Sequence, residues 1–161
     1  MEYGKKDILY FIVQDVRLCI DLNFVEKVLP LSFIDRIPNS TNYVVGIMNV
    51  AGQSTPVIDL ALRIGLQRNK EYSIDATIIL CNNVTQRMGL VVDTILGIEQ
   101  VEQNVLQMNE SFIAKKSYIS GVIKLKDELL LQLDMAVILD VKLTLENEKL
   151  TNKAFTPSVD Y

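Results

Sequence analysis

The chain contains no histidine and no tryptophan, and only two cysteines and four prolines in 161 residues. Without histidine it lacks both the usual general base at neutral pH and the commonest metal ligand, so Ser–His and Cys–His catalysis and histidine-built zinc sites are excluded. No G-x-S-x-G nucleophile elbow is present. Cys19 and Cys81 stand apart in apolar stretches with no C-x-x-C spacing, which reads as two small buried hydrophobes in a reducing compartment. The seven glycines (4, 46, 52, 65, 89, 97 and 121) never fall into a dinucleotide-binding or phosphate-binding pattern. Carboxylates do not cluster at metal-ligand spacing either, so the sequence gives no reason to expect a cofactor or a metal.

Positive charge is also scarce. The net charge is −4 and the pI about 4.9, and the doublets Lys5-Lys6 and Lys115-Lys116 have no basic or aromatic stripe around them, so no nucleic-acid partner is expected. Apolar runs such as 89–92 and 135–139 end far short of the roughly 18 residues that a membrane span needs. The first seven residues lack the apolar core of a signal peptide. The expectation is a cytoplasmic protein with no direct membrane insertion.

What the chain does have is an internal echo. Tyr43-x-x-Gly46-Ile47 leads to Asp59-Leu60-Ala61, and Tyr118-x-x-Gly121-Val122 leads to Asp134-Met135-Ala136, with the Gly-to-Asp distance 13 residues in both and an offset of 75. Leu18-Cys19-Ile20-Asp21 and Leu90-Val91-Val92-Asp93 repeat at an offset of 72. Two equivalent halves without histidine are a poor setting for an asymmetric catalytic centre and a good one for a two-barrel binding module.

Short β-branched and aromatic runs bounded by turn formers predict strands at 8–13, 18–20, 43–50, 54–58, 76–81, 88–92, 95–101, 118–125 and 128–133, with 33–37 extended. Residues 23–28 fit about one helical turn that Pro30 ends. Short helices are expected at 59–64, closed by Gly65, and at 134–139, with a possible continuation to Leu150. The polar stretch 67–73 joins the halves, 103–116 reads as a mobile insertion, and 151–161 as a frayed end. The organisation is a single domain over 7–140, in halves 7–66 and 73–140, followed by a C-terminal helix and tail over 141–161. Neither half buries much core alone; packed together, the two leave a groove between them.

Asp21, Asp59, Asp93 and Asp134 each follow an apolar strand, where a carboxylate accepts hydrogen bonds from the next turn. An aspartic-protease dyad would need Asp-Thr-Gly; Asp93-Thr94-Ile95 lacks the glycine and Asp21 precedes Leu22. Gly46, Gly89 and Gly121 interrupt strand patterns, as sharply bent barrel strands require. The apolar sets Phe24-Val25-x-x-Val28-Leu29 and Ile95-Leu96-x-Ile98 occupy equivalent places in the halves, either as core or as the rim of a groove for a partner's helix.

Gly46-Ile47-Met48-Asn49-x-x-Gly52-x-x-x-Pro56-Val57-Ile58-Asp59-Leu60, Gly89-Leu90-Val91-Val92-Asp93 and Tyr118-Ile119-Ser120-Gly121-Val122 ending in Leu133-Asp134, in that order, resemble the CheW family of chemosensory adaptors over roughly residues 7–140. The resemblance implies an all-β fold with short helices, two packed SH3-like five-stranded β-barrels. It implies a non-enzymatic scaffold whose partners are a chemoreceptor cytoplasmic tip and the regulatory domain of a CheA-type histidine kinase, in chemotaxis or another motility or signalling pathway. Val25, Val28, Ile95 and Ile98 match the family's receptor groove; Gly46, Gly52, Asp59, Gly89, Asp93, Gly121 and Asp134 match its framework. Two positions depart from it. Ala51 stands where the family has the arginine of Asn-Leu-Arg-Gly, and Lys27 where it has the glutamate of Val-x-Glu-Ile. The two family side chains can pair, whereas an alanine cannot donate and a lysine reverses the charge. Losing both family side chains together leaves neither looking for its mate, and points to a divergent receptor or kinase. A small-ligand binder or enzyme using Asp93 or Asp21, and an adaptor that has lost kinase coupling and acts as a decoy or homodimer, stay open as alternatives.

Overall fold

The computed structural model describes residues 4–31, 34–38, 41–68, 71–84, 86–102 and 118–141. The sequence-based readings of the 103–116 insertion, of a helix running on to Leu150 and of the 151–161 tail lie outside the described residues. Among the described residues ten strands form: β1 (Lys5–Val13), β2 (Val16–Asp21), β3 (Val25–Pro30), β4 (Val44–Val50), β5 (Gln53–Asp59), β6 (Thr77–Asn82), β7 (Arg87–Val92), β8 (Thr94–Glu102), β9 (Ile119–Leu125) and β10 (Glu128–Leu133). Two four-residue helices, α1 (Leu60–Arg63) and α2 (Met135–Ile138), follow β5 and β10.

The strands make two five-stranded sheets, in the orders β8-β1-β2-β10-β9 and β3-β6-β7-β5-β4. Under the sequence repeat β1–β5 correspond to β6–β10, and this correspondence carries one sheet order onto the other. Neither sheet belongs to one half. Each takes two strands from one half and three from the other, so the second sheet is the continuous segment β3–β7 and the first is closed by the chain's outer strands. Each sheet contains one parallel pair, β5 with β7 and β10 with β2, at corresponding places.

Side-chain alternation explains why strands such as Ile78-Ile79-Leu80-Cys81 are apolar at every position. Ile79 and Cys81 point into a core shared by both sheets, with Leu9, Phe11, Leu18, Ile20, Ile58 and Leu90. Ile78 and Leu80 point the other way, into a second core with Met48, Val50, Val57 and Val91. A third core, Ile8, Cys19, Val101, Ile123 and Leu130, fills the concave side of the first sheet. Each sheet therefore curls round its own interior and packs its other face on its neighbour. This is the pair of small barrels expected from the sequence.

The reading of 23–28 as a helical turn is corrected. Only Leu22–Phe24 winds, as a single 3-10 turn capped by Asp21, and the chain from Val25 onward pairs with β6. The apolar spacing of Phe24, Val25, Val28 and Leu29 suits a helix, but an open sheet edge beside β6 satisfies the backbone of the whole segment. Pro30 is tolerated because β3 is an edge strand and Pro30 its last residue.

The repeat also preserves irregularities. Val45 in β4 and Ser120 in β9 are each the extra residue of a bulge, beside Gly46 and Gly121. Glu26 in β3 and Leu96 in β8 are the extra residues of a second corresponding pair. At Gly46 the backbone of Asp35 comes in to bridge Ile47, with N–H to O distances of 2.9 and 2.8 Å in the two directions. A Cβ on Gly46 would lie 2.1 Å from the Asp35 carbonyl oxygen, whereas one on Gly52, in the β4–β5 turn at φ +81°, would meet nothing within 4 Å. Gly46→Ala is thus expected to lower the stability by about 2–3 kcal/mol or more through overpacking. Gly52→Ala should lower it by about 1 kcal/mol through its positive φ alone. Urea unfolding midpoints of the two variants check this order.

Candidate functional site

The repeated residues share a common geometry. The Asp59 N–H donates to the Tyr43 carbonyl at 2.8 Å, and the Asp134 N–H to the Tyr118 carbonyl at 2.8 Å. Asp59 and Asp134 are the N-caps of α1 and α2. Asp59 accepts from the Leu62 N–H at 3.3 Å, and Asp134 from the Ala136 and Val137 N–H groups at 3.1 and 3.3 Å. Between the two tyrosines lies Arg63, its guanidinium 5.2 Å from the Tyr43 ring and 5.0 Å from that of Tyr118. It donates to the carbonyls of Val137 at 2.7 Å and Ile138 at 3.3 Å, closing the C-terminus of α2. Its counterpart across the repeat is Ile138 itself, so this lock is one-sided.

Asp59 is 1% exposed and needs more than a cap. Arg68 supplies the charge, with Nε 2.5 Å from Oδ2 and Nη2 3.1 Å from Oδ1, and the Tyr72 hydroxyl donates to Oδ2 at 2.8 Å. Arg68 also reaches Asp93 at 3.4 Å and stacks 4.3 Å from the Tyr72 ring. Burial disfavours the Arg68 cation, but hydrogen bonding and charge from Asp59 outweigh it and its pKa rises. Burial, then the hydrogen bond to Asp59, raise the Tyr72 pKa and keep the phenol a donor. Arg68 and Tyr72 lie in the polar join between the halves. No repeat marks them, and an arginine in a polar linker carries no signal that a buried carboxylate awaits it.

Asp93 and Asp21, the carboxylates of the enzymatic alternative, are engaged structurally. Asp93 accepts from the Gln14 backbone N–H at 2.6 Å and its side-chain amide at 3.3 Å, gripping the β1–β2 turn where Gln14 and Asp15 have φ of +46° and +67°. Asp21 accepts from the Asn23 N–H at 2.9 Å. Among the described residues no three of Asp, Glu, Cys and His converge as metal ligands. Gly89 sits where β7 pairs with both β5 and β6, and a Cβ there would come within 2.9 Å of Ile78 and 3.3 Å of Val57.

The four residues expected to line a groove divide in two. Val25 and Ile95 pack against the shared core, whereas Val28 and Ile98 are 43% and 58% exposed. All four lie on β3 and β8, the edge strands of different sheets, and each pair brackets a corresponding bulge. Leu31 and Leu96 extend the exposed apolar set. Each of the two strand edges thus has a buried footing and a protruding aliphatic tip.

Lys27 and Ala51 are both exposed, Lys27 on β3 and Ala51 in the β4–β5 turn at φ +51°. Ala51 lines an open depression of about 560 Å³ together with Glu26, Gln53, Asn82, Val84 and Arg87. An ion pair lies in it. Arg87 holds Glu26 Oε2 through Nε at 3.1 Å and more tightly through Nη2, while its Nη1 donates to Gln53 Oε1 at 3.0 Å and the Val50 carbonyl at 3.5 Å. Asn82 donates to the other Glu26 oxygen at 3.1 Å. The hydrogen bond from Arg87 holds the Glu26 carboxyl below its ordinary pKa. Neither Glu26 nor Arg87 stood out in the sequence, because 61 residues separate them and the bulge that turns Glu26 toward β7 is invisible there.

Two predictions follow from the buried groups. Asp59→Asn should cost about 3 kcal/mol, because it strands Arg68 opposite a neutral amide, and adding Arg68→Met should recover part of that loss; a denaturant double-mutant cycle reads the coupling. Burial lifts the Cys19 and Cys81 thiols to about 12, leaving roughly one in ten thousand ionised at pH 8. Neither should react with a disulfide reagent until the protein is unfolded, when both label at the rate of free cysteine.

Comparison with known proteins places this geometry. The CheW-like domain family matches residues 7–148. The chemotaxis protein CheW of Thermotoga maritima is 27% identical over 136 residues, covering 83% of this chain and 87% of that protein. The chemotaxis protein CheW of Helicobacter pylori is 28% identical over 131 residues, covering 80% and 78%. The crystal structure of the scaffolding protein TtCheW from Thermoanaerobacter tengcongensis superposes with a TM-score of 0.79 at 25% identity, covering 88% of this chain and 99% of that one.

Proposed function

Because the chain belongs to the CheW-like domain family, we propose that it is a non-enzymatic adaptor coupling a chemoreceptor cytoplasmic tip to the regulatory domain of a CheA-type histidine kinase. What supports this reading most is the chain's likeness, over 99% of that protein's length, to the scaffolding protein TtCheW. The site agrees in kind. Its carboxylates are committed to caps, turns and ion pairs, while exposed aliphatic side chains stand on two strand edges over a shared core, a surface suited to the apolar face of a helix. No helix among the described residues is long and apolar enough to cross a membrane. The receptor's cytoplasmic tip and the kinase domain are soluble partners, and a cytoplasmic location follows from meeting them. Ala51 and Lys27 break the family's charge pattern, which fits a receptor or kinase that has diverged with this chain, in chemotaxis or in another signalling array.

Val28→Glu and Ile98→Glu place carboxylates on the two exposed tips. Each should weaken binding to a chemoreceptor tip from the same genome by about tenfold or more, through desolvated charge at an apolar contact. The melting temperature should stay within about 2 °C, since both positions are solvent-exposed. Calorimetric titration with the receptor tip and with the kinase regulatory domain measures both affinities. Unchanged receptor affinity in both variants would sink the assignment of this face, and no binding of either partner by the unsubstituted protein would sink the adaptor reading.

A further inference from the structure

The Glu26–Arg87 pair lies at the floor of an open depression, with side-chain exposures of 32% and 23%. A partly exposed pair of this kind contributes little to folding, yet this one is elaborately held. Arg87 is fixed on one side by Glu26 and on the other by Gln53 and the Val50 carbonyl, and Glu26 is fixed again by Asn82. A β-bulge, a device over-represented beside functional surfaces, turns Glu26 out of the β3 ladder to make the pair. The guanidinium runs alongside the turn that carries Ala51, and Ala51 lines the same depression.

A small free anion is poorly served here, because it would have to displace Glu26 from Arg87. A protein surface is well served. Val84 stands fully exposed at the rim, and Lys27, next to Glu26, has no ion-pair partner among the described residues, so the patch keeps one positive charge in excess. An arginine already immobilised surrenders little entropy when a partner docks on it. Arginine at the centre of a contact also carries a disproportionate share of binding energy.

We propose that Arg87, positioned by Glu26, is a specificity-determining residue of the receptor-binding face, supplying from β7 the cation that the β4–β5 turn lacks at Ala51. The occupant is a helical hairpin tip bearing a carboxylate that meets the excess positive charge of Lys27 and Arg87. The receptor is assigned over the kinase because Glu26 and Lys27 lie on β3 between Val25 and Val28. The inference rests on the adaptor reading and names the residue that tunes it.

Arg87→Ala, Glu26→Ala and the double variant Arg87→Ala/Ala51→Arg test it in the full chain, titrated with the receptor tip and the kinase regulatory domain from the same genome. Arg87→Ala should weaken receptor binding about tenfold and flatten its salt dependence. Kinase binding should stay within about twofold, and the melting temperature within about 2 °C. The double variant should regain most of the lost affinity, since an arginine at 51 opens onto the same Glu26. A merely structural role for Arg87 would lower the melting temperature and would not be rescued from position 51. Unchanged receptor affinity in Arg87→Ala, an equal loss for both partners, or failure of Ala51→Arg to rescue would each overturn the proposal. Failure of the unsubstituted protein to bind either partner would instead overturn the adaptor reading, and this proposal with it.

Discussion

A carboxylate taken out of water has to be met by donors and by a positive charge, and the arrangement around Asp59 shows how far that requirement reaches. Arg68 answers it, but its other edge extends to Asp93, and Asp93 grips the backbone of the β1–β2 turn at Gln14. A continuous polar thread therefore runs from Tyr72 through Asp59, Arg68 and Asp93 to Gln14. It begins in the polar join, passes the ends of β5 and β7 in one sheet and ends on the leading hairpin of the other. The apolar core between the sheets brings them together without direction, whereas this thread fixes how they sit. Such an ion pair adds modestly to net stability, whereas removing one partner leaves the other charge buried and uncompensated.

The duplication explains the scaffold, and its violations explain what is particular to the molecule. Asp59 and Asp134 cap their helices alike and receive the same tyrosine carbonyl, yet only Asp59 is fully buried, because only it is given Arg68 and Tyr72. Arg63 lies between Tyr43 and Tyr118 but faces Ile138 across the repeat. Symmetry thus supplies two barrels, and single arginines placed off the symmetry break their equivalence. Arg87 belongs with these, directed outward where the other two are directed in.

Much of this was readable from the residues. The fixed offsets of Tyr, Gly and Asp announced the two barrels, and the fully apolar runs at 78–81 and 88–92 had to be strands buried on both faces. Residues 23–28 misled because their apolar spacing suits a helix; the open edge of β6 decided the matter, and a strand edge is a property of the assembled sheet. The groove positions came from resemblance, and their division into footing and tip depends on bulges at Glu26 and Leu96 that leave no trace in composition. Arg68 and Arg87 were missed for the same reason: a charge seeks a partner in space, and both partners lie on strands whose neighbourhood only the fold defines.

The exchange of strands between the halves also bears on how the chain comes to be folded. The second sheet, β3–β7, is a continuous stretch from Val25 to Val92, so its pairings are comparatively local. β1 and β2 come first in the sequence, yet β1 pairs with β8, from Lys5 opposite Glu102, and β2 with β10. A ribosome delivers that leading hairpin early and its partners late. In the interval one barrel can close while the hairpin waits with both outer edges open, and such edges invite pairing with other chains. The same interlacing that lets two small barrels share a core makes the completed fold depend on its last strands arriving.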